Sequence, residues 1–138
     1  MKKIALLIVV LLFVSCDEFF EDCVFFPAKA EIRTTRIDKA KVGEEYYQEI
    51  EGRVKNGHGN FHYSFDVGIV PEGLSYYKLG NKLILEGRPV ESGIYNVSIE
   101  LIIEEDCYST IDDDESDCDN ICFDNNTAKK NYSLIIEE

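Results

Sequence analysis

The densest group of side chains that could do chemistry in this 138-residue chain lies near its C-terminal end. Carboxylates crowd the stretch from Tyr108 to Thr127, and no basic residue occurs between Glu104 and Ala128. Clustered carboxylates are hard oxygen ligands of the kind that calcium prefers. The calcium candidates are four spaced acidic positions: Asp112, Asp114, Asp117 and Asp119.

The spacing of these carboxylates does not match an EF-hand. Counted from Asp112, the sixth position holds Asp117 where the EF-hand has Gly, and the twelfth holds Phe123 where it has Glu. Two interpretations stay open, an irregular calcium site and a solvated acidic loop. We expect the solvated loop, and therefore no bound cofactor.

Cysteines supply the second kind of chemistry. Cys118 and Cys122 lack a nearby His or a second Cys pair at zinc-finger spacing, which argues against a zinc site. With Cys23 and Cys107 they form an even set, and thiols pair in an oxidising compartment, so two disulfides are predicted for an exported chain. Three pairings are open. We favour one bridge from Cys23 to the acidic loop and one bridge within that loop.

No arrangement of side chains indicates catalysis. His58 and His62 span a Gly-containing loop and the start of a strand, so we expect ordinary exposed histidines rather than metal ligands. The chain has no Gly-x-Ser-x-Gly elbow and no Gly-rich phosphate loop, and no cysteine has a histidine partner that the sequence can identify. We therefore expect that the protein is not an enzyme.

Tyrosines offer a binding function instead, because an aromatic ring exposed on a sheet can stack on a sugar. Tyr47, Tyr76 and Tyr77 cannot all point inward under strand alternation. Exposed tyrosine is also favourable for β-structure in itself. A carbohydrate-binding role and a purely structural role are both open for these three residues.

The N-terminal segment has the layout of a signal peptide. Met1-Lys2-Lys3 is followed by an uncharged apolar run from Ile4 to Val14 and then by Ser15-Cys16. This run of eleven residues is too short for a membrane-spanning helix, which needs roughly 20 apolar residues. Export is therefore predicted.

The residues Phe13-Val14-Ser15-Cys16 resemble the lipobox of bacterial lipoproteins, although Phe13 stands where Leu is usual. The resemblance implies that residues 1–15 are removed and that Cys16 is lipidated, for example with palmitate, and begins a tether over residues 16–27. The alternative is a cut elsewhere, with Cys16 removed or merely structural.

Residues 17–22, DEFFED, resemble the acidic export tag of surface-exposed lipoproteins in some Gram-negative bacteria. This resemblance implies an outer-membrane lipoprotein displayed at the cell surface. A solvated charge run in a tether is the alternative.

Alternating apolar residues predict antiparallel strands over the rest of the chain. The clearest runs from Tyr95 to Ile103, where every second residue is apolar, and two more strands precede it after Val70. Further strands are predicted at Ala28 to Ile37, where basic residues would protect a sheet edge, at Tyr46 to Val54, at Phe61 to Asp66 and at Tyr132 to Ile136.

Turn motifs along this region occur in a characteristic order. They are Val42-Gly43 before the tyrosine strand, Pro71-Glu72-Gly73-Leu74, Gly87-Arg88-Pro89 and Gly93-Ile94-Tyr95. The pattern resembles the Ig-like domain of bacterial surface proteins, which is related to cadherin-like modules. The resemblance implies an all-β, Ig-like antiparallel β-sandwich of about seven strands over residues 28–138. It also implies that the hydroxyl of Tyr95 bonds to upstream backbone. The long Cys-containing acidic loop before the last strand departs from the pattern.

The charge of the chain restricts its partners. The formal charge of −13 becomes −15 when residues 1–15 are removed, because Lys2 and Lys3 are lost. Nucleic acid is excluded, since phosphate backbones are bound through clustered Lys and Arg. Contact with the membrane is expected only through the N-terminal lipid. The partner is then a protein or a glycan, recognised by a non-catalytic binding or adhesion module. The alternative is a structural or accessory subunit of an envelope complex that has no free ligand.

The strand count also predicts which end of the domain faces the membrane. The tether, the loop Lys55 to Asn60 and the acidic loop should share one end. The segments Val67 to Gly73 and Arg88 to Ser92 should lie at the opposite, outward end.

Overall fold

A computed structural model describes residues 27–105 and 123–138 of the chain. Within these ranges the chain forms β-strands and no helix, as the sequence predicts. The strands are β1 (Ala28–Ile32), β2 (Ala40–Lys41), β3 (Tyr46–Lys55), β4 (Phe61–Val67), β5 (Leu74–Leu79), β6 (Lys82–Gly87), β7 (Gly93–Glu105), β8 (Phe123–Asn125) and β9 (Thr127–Glu137). In this described part, β2 and β8 are the only strands shorter than five residues. The other seven strands agree with the prediction of about seven.

The strands form two sheets. One has five strands in the order β5-β6-β3-β1-β8, and the other has four in the order β2-β9-β7-β4. Neighbouring strands are antiparallel except for two pairs, β1 with β8 and β2 with β9, which are parallel.

One hydrophobic core contains side chains of both sheets, as expected for a sandwich. Ile50 and Leu85 come from the five-stranded sheet, and Leu101 and Leu134 come from the four-stranded sheet. All four are almost completely removed from solvent. Burying one such side chain contributes about 1.5–3 kcal/mol, so the alternation that supplies them stabilises both sheets.

The strand with the clearest sequence pattern is confirmed. The inward positions of β7 from Val97 to Ile103 are buried, and the residues between them are more exposed. The aromatic inner face of β4 is confirmed as well, because Phe61, Tyr63 and Phe65 pack against the core.

The prediction of an edge strand from Ala28 to Ile37 is wrong in two respects. β1 ends at Ile32, and it lies between β3 and β8. Beyond Ile32 a hydroxyl replaces a backbone acceptor, because the backbone N–H of Glu51 donates to Oγ1 of Thr34 at 2.9 Å. This ends the regular ladder, and the chain crosses to the other sheet, where β2 pairs with β9.

Hydrogen bonds from side chains of both sheets hold the segment between β1 and β2 in place. Tyr132 donates through Oη to the carbonyl of Thr34 at 2.8 Å, and Lys130 donates to the same oxygen at 2.6 Å. Tyr46 donates to the carbonyl of Asp38 at 3.1 Å. The connection between the sheets is therefore tied to both of them.

The predicted loop Tyr108 to Thr127 is too long at its C-terminal side. Phe123–Asn125 forms β8, and β9 begins at Thr127. Phe123 is drawn into the fold because its ring packs edge-on against Phe61, with ring centres 5.9 Å apart, and covers the end of the core.

Strand register defines two ends of the domain. At the first, which we call the N-terminal end, Ala28 pairs with Phe123 and Lys29 with Lys55, while Phe61 pairs with Glu105. The start of the domain, the β3–β4 loop and both described flanks of the acidic loop therefore share this end, as predicted.

The opposite end, which we call the far end, carries the predicted outward segments. Gly87 pairs with both Tyr46 and Leu74, and Gly93 pairs with Ile136. The connection from Arg88 to Ser92 therefore lies at the far end.

Candidate functional site

Most residues with predicted chemistry lie outside the described residues. These are the lipidation candidate Cys16, the disulfide candidates Cys23, Cys107, Cys118 and Cys122, and the calcium candidates Asp112, Asp114, Asp117 and Asp119. Lipidation, disulfide bonding and calcium binding accordingly stay predictions.

Residues 27–105 and 123–138 contain no group of three or more His, Cys, Asp or Glu side chains that could hold a metal ion. His58 and His62 are both exposed, as expected. No helix in this described part of the chain is long and apolar enough to cross a membrane.

The tyrosines divide between the two faces of the five-stranded sheet. Tyr47 and Tyr77 lie on the outer face, with 55% and 44% of their surface exposed. Tyr76 is 46% exposed but lies on the inner side, because it pairs with the core residue Leu85 on edge strand β5. The prediction that the three cannot all point inward is confirmed.

Side chains of three strands form the outer surface around Tyr47 and Tyr77, which we call the tyrosine face. Three rows of side chains cross the face, and each contains one residue from β3, one from β6 and one from β5, in that order. The first row is Tyr47, Glu86 and Ser75. The second is Glu49, Ile84 and Tyr77, and the third is Glu51, Lys82 and Leu79. The first row lies nearest the far end, since it adjoins the pairing of Tyr46 with Gly87. The face therefore begins at the end that is remote from Ala28.

A polar triad fixes three side chains of this face. Glu49 accepts a hydrogen bond from Tyr47 Oη at 3.0 Å and one from Lys82 Nζ at 2.6 Å, on different carboxylate oxygens. The bond from Lys82 lowers the pKa of Glu49, and the bond from Tyr47 lowers it further. The same contact raises the pKa of Lys82, and the bond to Glu49 raises the pKa of Tyr47. At neutral pH the triad consists of a carboxylate, an ammonium and a neutral phenol.

Ile84 lies at the middle of the face, between Glu49 on one neighbouring strand and Tyr77 on the other. It has no exposed surface, although it points away from the core between the sheets. Neighbouring side chains of the face must therefore cover Ile84 and pack against it.

A shallow cavity of about 360 Å³ adjoins the first row of the tyrosine face. It is lined by Glu45, Tyr46, Ser75, Glu86, Gly87 and Arg88. Arg88 and Glu45 form an exposed ion pair at 2.6 Å across it. Because Ser75 and Glu86 belong to both, the cavity and the face form one continuous surface. A second cavity, of about 510 Å³, lies at the far end beside Val90 and Glu138.

Sequence reasoning identified the tyrosines but missed Glu49, Lys82 and Ile84. Glu49 could have been found, because it lies two residues after Tyr47 on one predicted strand and therefore on the same side of it. Lys82 and Ile84 depend on the β5–β6 hairpin, in which Leu79 pairs with Lys82 across a two-residue turn. Gly80 has a φ of 60° in that turn, and such Gly-containing turns fix hairpin register.

Comparison with protein-family models and with curated proteins finds no match to this chain. The tyrosine face must therefore be interpreted from its own geometry.

Proposed function

We propose that this protein is a membrane-anchored lipoprotein of the cell envelope whose β-sandwich acts as a non-catalytic binding module. The observation that carries the proposal is the tyrosine face. It combines two exposed aromatic rings, a fixed polar triad and an adjoining cavity on one sheet surface. Surfaces with exposed aromatic residues and a few fixed polar groups are typical of recognition sites.

The strand order supports an Ig-like identity for the module. Ig-type sandwiches pair their strands as A-B-E-D in one sheet and C-F-G in the other. Counted along the chain with β2 and β8 left aside, β1, β3, β6 and β5 take the first set of positions, and β4, β7 and β9 take the second. The hydroxyl of Tyr95 also donates to the carbonyl of Glu91 at 3.4 Å, as the resemblance implies.

The position of the face agrees with a lipid tether at Cys16. Residues 17–27 span at most roughly 36–40 Å when fully extended, and they join the domain at its N-terminal end. The first row of the tyrosine face and its cavity lie toward the far end. The rows of the face nearest the far end are then held away from the membrane, within reach of a partner outside the cell.

Cell fractionation tests the anchor. The protein should partition with outer-membrane lipid and label with palmitate, and Cys16→Ala should release it. Protease added to intact cells should digest the domain if it is displayed at the surface. A Cys16→Ala protein that still partitions into detergent and still labels with palmitate would refute lipidation at this residue.

Site-directed photo-crosslinking tests the binding surface. A benzophenone amino acid at Tyr77 should capture envelope material in cells, whereas the same group at Tyr76, its neighbour on the other side of the sheet, should not. Deletion of residues 112–117 should leave that capture intact. Equal capture from both positions, or none from Tyr77, would favour the alternative of an accessory subunit with no free ligand.

A further inference from the structure

We infer that the tyrosine face binds a neutral carbohydrate chain. Tyr47 and Tyr77 would stack on sugar rings, and the Glu49–Lys82 pair would bind their hydroxyl groups. The inference rests on the proposed function, because it names the ligand class of the same surface.

The positions of the two tyrosines on the sheet fit an extended ligand. Tyr47 and Tyr77 are separated by two strand positions across the sheet and by two residues along it. With strands about 4.8 Å apart and a rise of about 3.4 Å per residue, their Cα atoms lie roughly 12 Å apart. The two side chains therefore start from well-separated positions on one surface, which suits a ligand longer than a single sugar.

The face offers groups that suit both the apolar and the polar parts of a sugar. A pyranose has a C–H-rich face that packs on an aromatic ring and a rim of hydroxyl groups that donate and accept hydrogen bonds. Tyrosine presents an apolar ring with a polar tip. Lys82 has three N–H donors, of which Glu49 takes one, and each carboxylate oxygen of Glu49 accepts more than one bond. Donors and acceptors for sugar hydroxyls therefore remain at the centre of the face.

These groups are held in place before any ligand arrives. Glu49 is bonded by Tyr47 on its own strand and by Lys82 on the next, above the buried side chain of Ile84. Fixing such side chains in advance lowers the entropy cost of binding. The adjoining cavity of about 360 Å³ lies within the range of about 300–1,000 Å³ typical of small-ligand sites, and would take a terminal sugar.

The charges of the face favour some classes of ligand over others. The face and its cavity carry carboxylates at Glu45, Glu49, Glu51 and Glu86, and three cations pair with the first three of them, namely Arg88, Lys82 and Arg33 of the neighbouring strand segment, which leaves an excess of one carboxylate. Acidic glycans and nucleic acids would be repelled by this excess. A peptide strand could pair only beside the free edge of β5, because β3 and β6 are paired on both sides, so a ligand that lies across all three strands is better explained by a neutral glycan.

Titration of the full-length lipoprotein in detergent with neutral hexasaccharides of glucose, xylose, mannose and galactose tests the inference, with hexagalacturonate as the acidic comparison. The chain has eight tyrosines and no Trp, so a change in tyrosine emission can be followed alongside calorimetry. At least one neutral hexasaccharide should bind. Tyr47→Ala and Tyr77→Ala should each weaken it at least tenfold, while Tyr77→Phe should retain most of the affinity.

Tyr76→Ala is the matched control, because it removes an equally exposed ring from the other side of the same strand, and it should leave the affinity unchanged. Thermal unfolding verifies that each variant is folded. Equal weakening by Tyr76→Ala, or binding of none of the neutral hexasaccharides, would overturn the inference. Photo-crosslinking from Tyr77 then distinguishes failure of the glycan inference from failure of the proposed binding function. Capture of a protein would overturn only the glycan inference. Capture of nothing would overturn the proposed binding function as well.

Discussion

Gly73 and Gly87 pack backbone against backbone, and neither position has room for a Cβ. A Cβ on Gly87 would collide with the carbonyl of Gly73, and one on Gly73 would collide with the carbonyl of Arg88. The two glycines have φ values of 88° and 137°, which residues with a side chain rarely adopt. The backbone N–H of Arg88 donates to the Gly73 carbonyl at 2.9 Å, so this contact joins β5 to β6 at the far end.

Gly87→Ala should therefore destabilise the fold strongly. The unfavourable φ alone costs about 1–3 kcal/mol, and the collision with Gly73 adds to it, so the expected loss is about 3 kcal/mol or more. Urea unfolding followed by circular dichroism measures the change. Gly43→Ala is the control, because Gly43 has a φ of 74° but open space around its Cβ position. It should cost only about 1–2 kcal/mol. Equal losses for the two variants would contradict the collision.

Stability should fall in alkaline solution because two tyrosines are buried. Burial and the charge of Asp38 raise the pKa of Tyr46 to about 12, and burial raises that of Tyr132 to about 12. In the unfolded chain these phenols ionise near pH 10, so between about pH 10 and 12 the unfolded state has lost protons that the folded state retains. Each tyrosine should then cost about 1.4 kcal/mol of stability per pH unit, a contribution fully present below pH 10.

Urea unfolding at pH values from 9 to 11.5 measures this slope. Tyr132→Phe should lower the slope by the share of one buried tyrosine, and should itself cost about 1 kcal/mol at neutral pH because the bond to Thr34 is lost. A double Phe variant at Tyr46 and Tyr132 that retains the full slope would show that other groups cause it.

The parts of this fold that could be predicted depend on local pattern. Alternation in β7 identified its buried side from Val97 to Ile103, and the turn motifs that contain Gly73 and Gly87 identified two corners of the fold. These signals lie within a few residues of one another in the chain, so no tertiary information is needed to detect them.

The parts that could not be predicted depend on contacts between distant segments. The early end of β1 follows from the hydroxyl of Thr34, which competes with a backbone acceptor only because Glu51 lies opposite. Phe123 became a strand residue because Phe61 and Ala28 are close to it in space. The tyrosine face needs the register of three strands, and a shift of one residue would turn Ile84 to the other side.

Gly52 and Leu101 should show coupled effects on stability. A Cβ on Gly52 would approach Leu101 Cδ2 at 2.9 Å and Phe65 Cζ at 3.3 Å, across the core between the sheets. Gly52→Ala should cost about 1–3 kcal/mol through overpacking. Leu101→Ala should cost about 2–5 kcal/mol through the cavity it leaves. In the double variant the new methyl group occupies part of that cavity, so the combined loss should be smaller than the sum by about 0.5–3 kcal/mol.

A double-mutant cycle by urea unfolding measures this coupling. Gly80→Ala combined with Leu101→Ala is the control, because Gly80 lies in the β5–β6 turn with no atom near its Cβ position. Those two changes should be additive. Additivity for Gly52 and Leu101 as well would mean that the core relaxes around the added methyl group.

Strand pairing at the N-terminal end bears on the predicted disulfides. Ala28 pairs in parallel with Phe123. Cys122 directly precedes Phe123 and Cys23 precedes Ala28 by five residues, so the strands that follow these two cysteines in the sequence begin beside each other. This agrees with the predicted bridge from Cys23 to one of Cys107, Cys118 and Cys122, and the second bridge then joins the remaining two. Each bridge should contribute about 2–4 kcal/mol by restricting the unfolded chain.

Mass spectrometry of proteolysed, unreduced protein taken from cells should identify a peptide containing Cys23 linked to a peptide from the loop. Reduction should lower the unfolding midpoint. Cys23→Ser should free one loop thiol, which an alkylating reagent would label, and leave the other bridge intact. Four alkylated thiols in the wild-type protein would contradict the prediction. The stability lost on reduction would then have to come from groups other than these four cysteines.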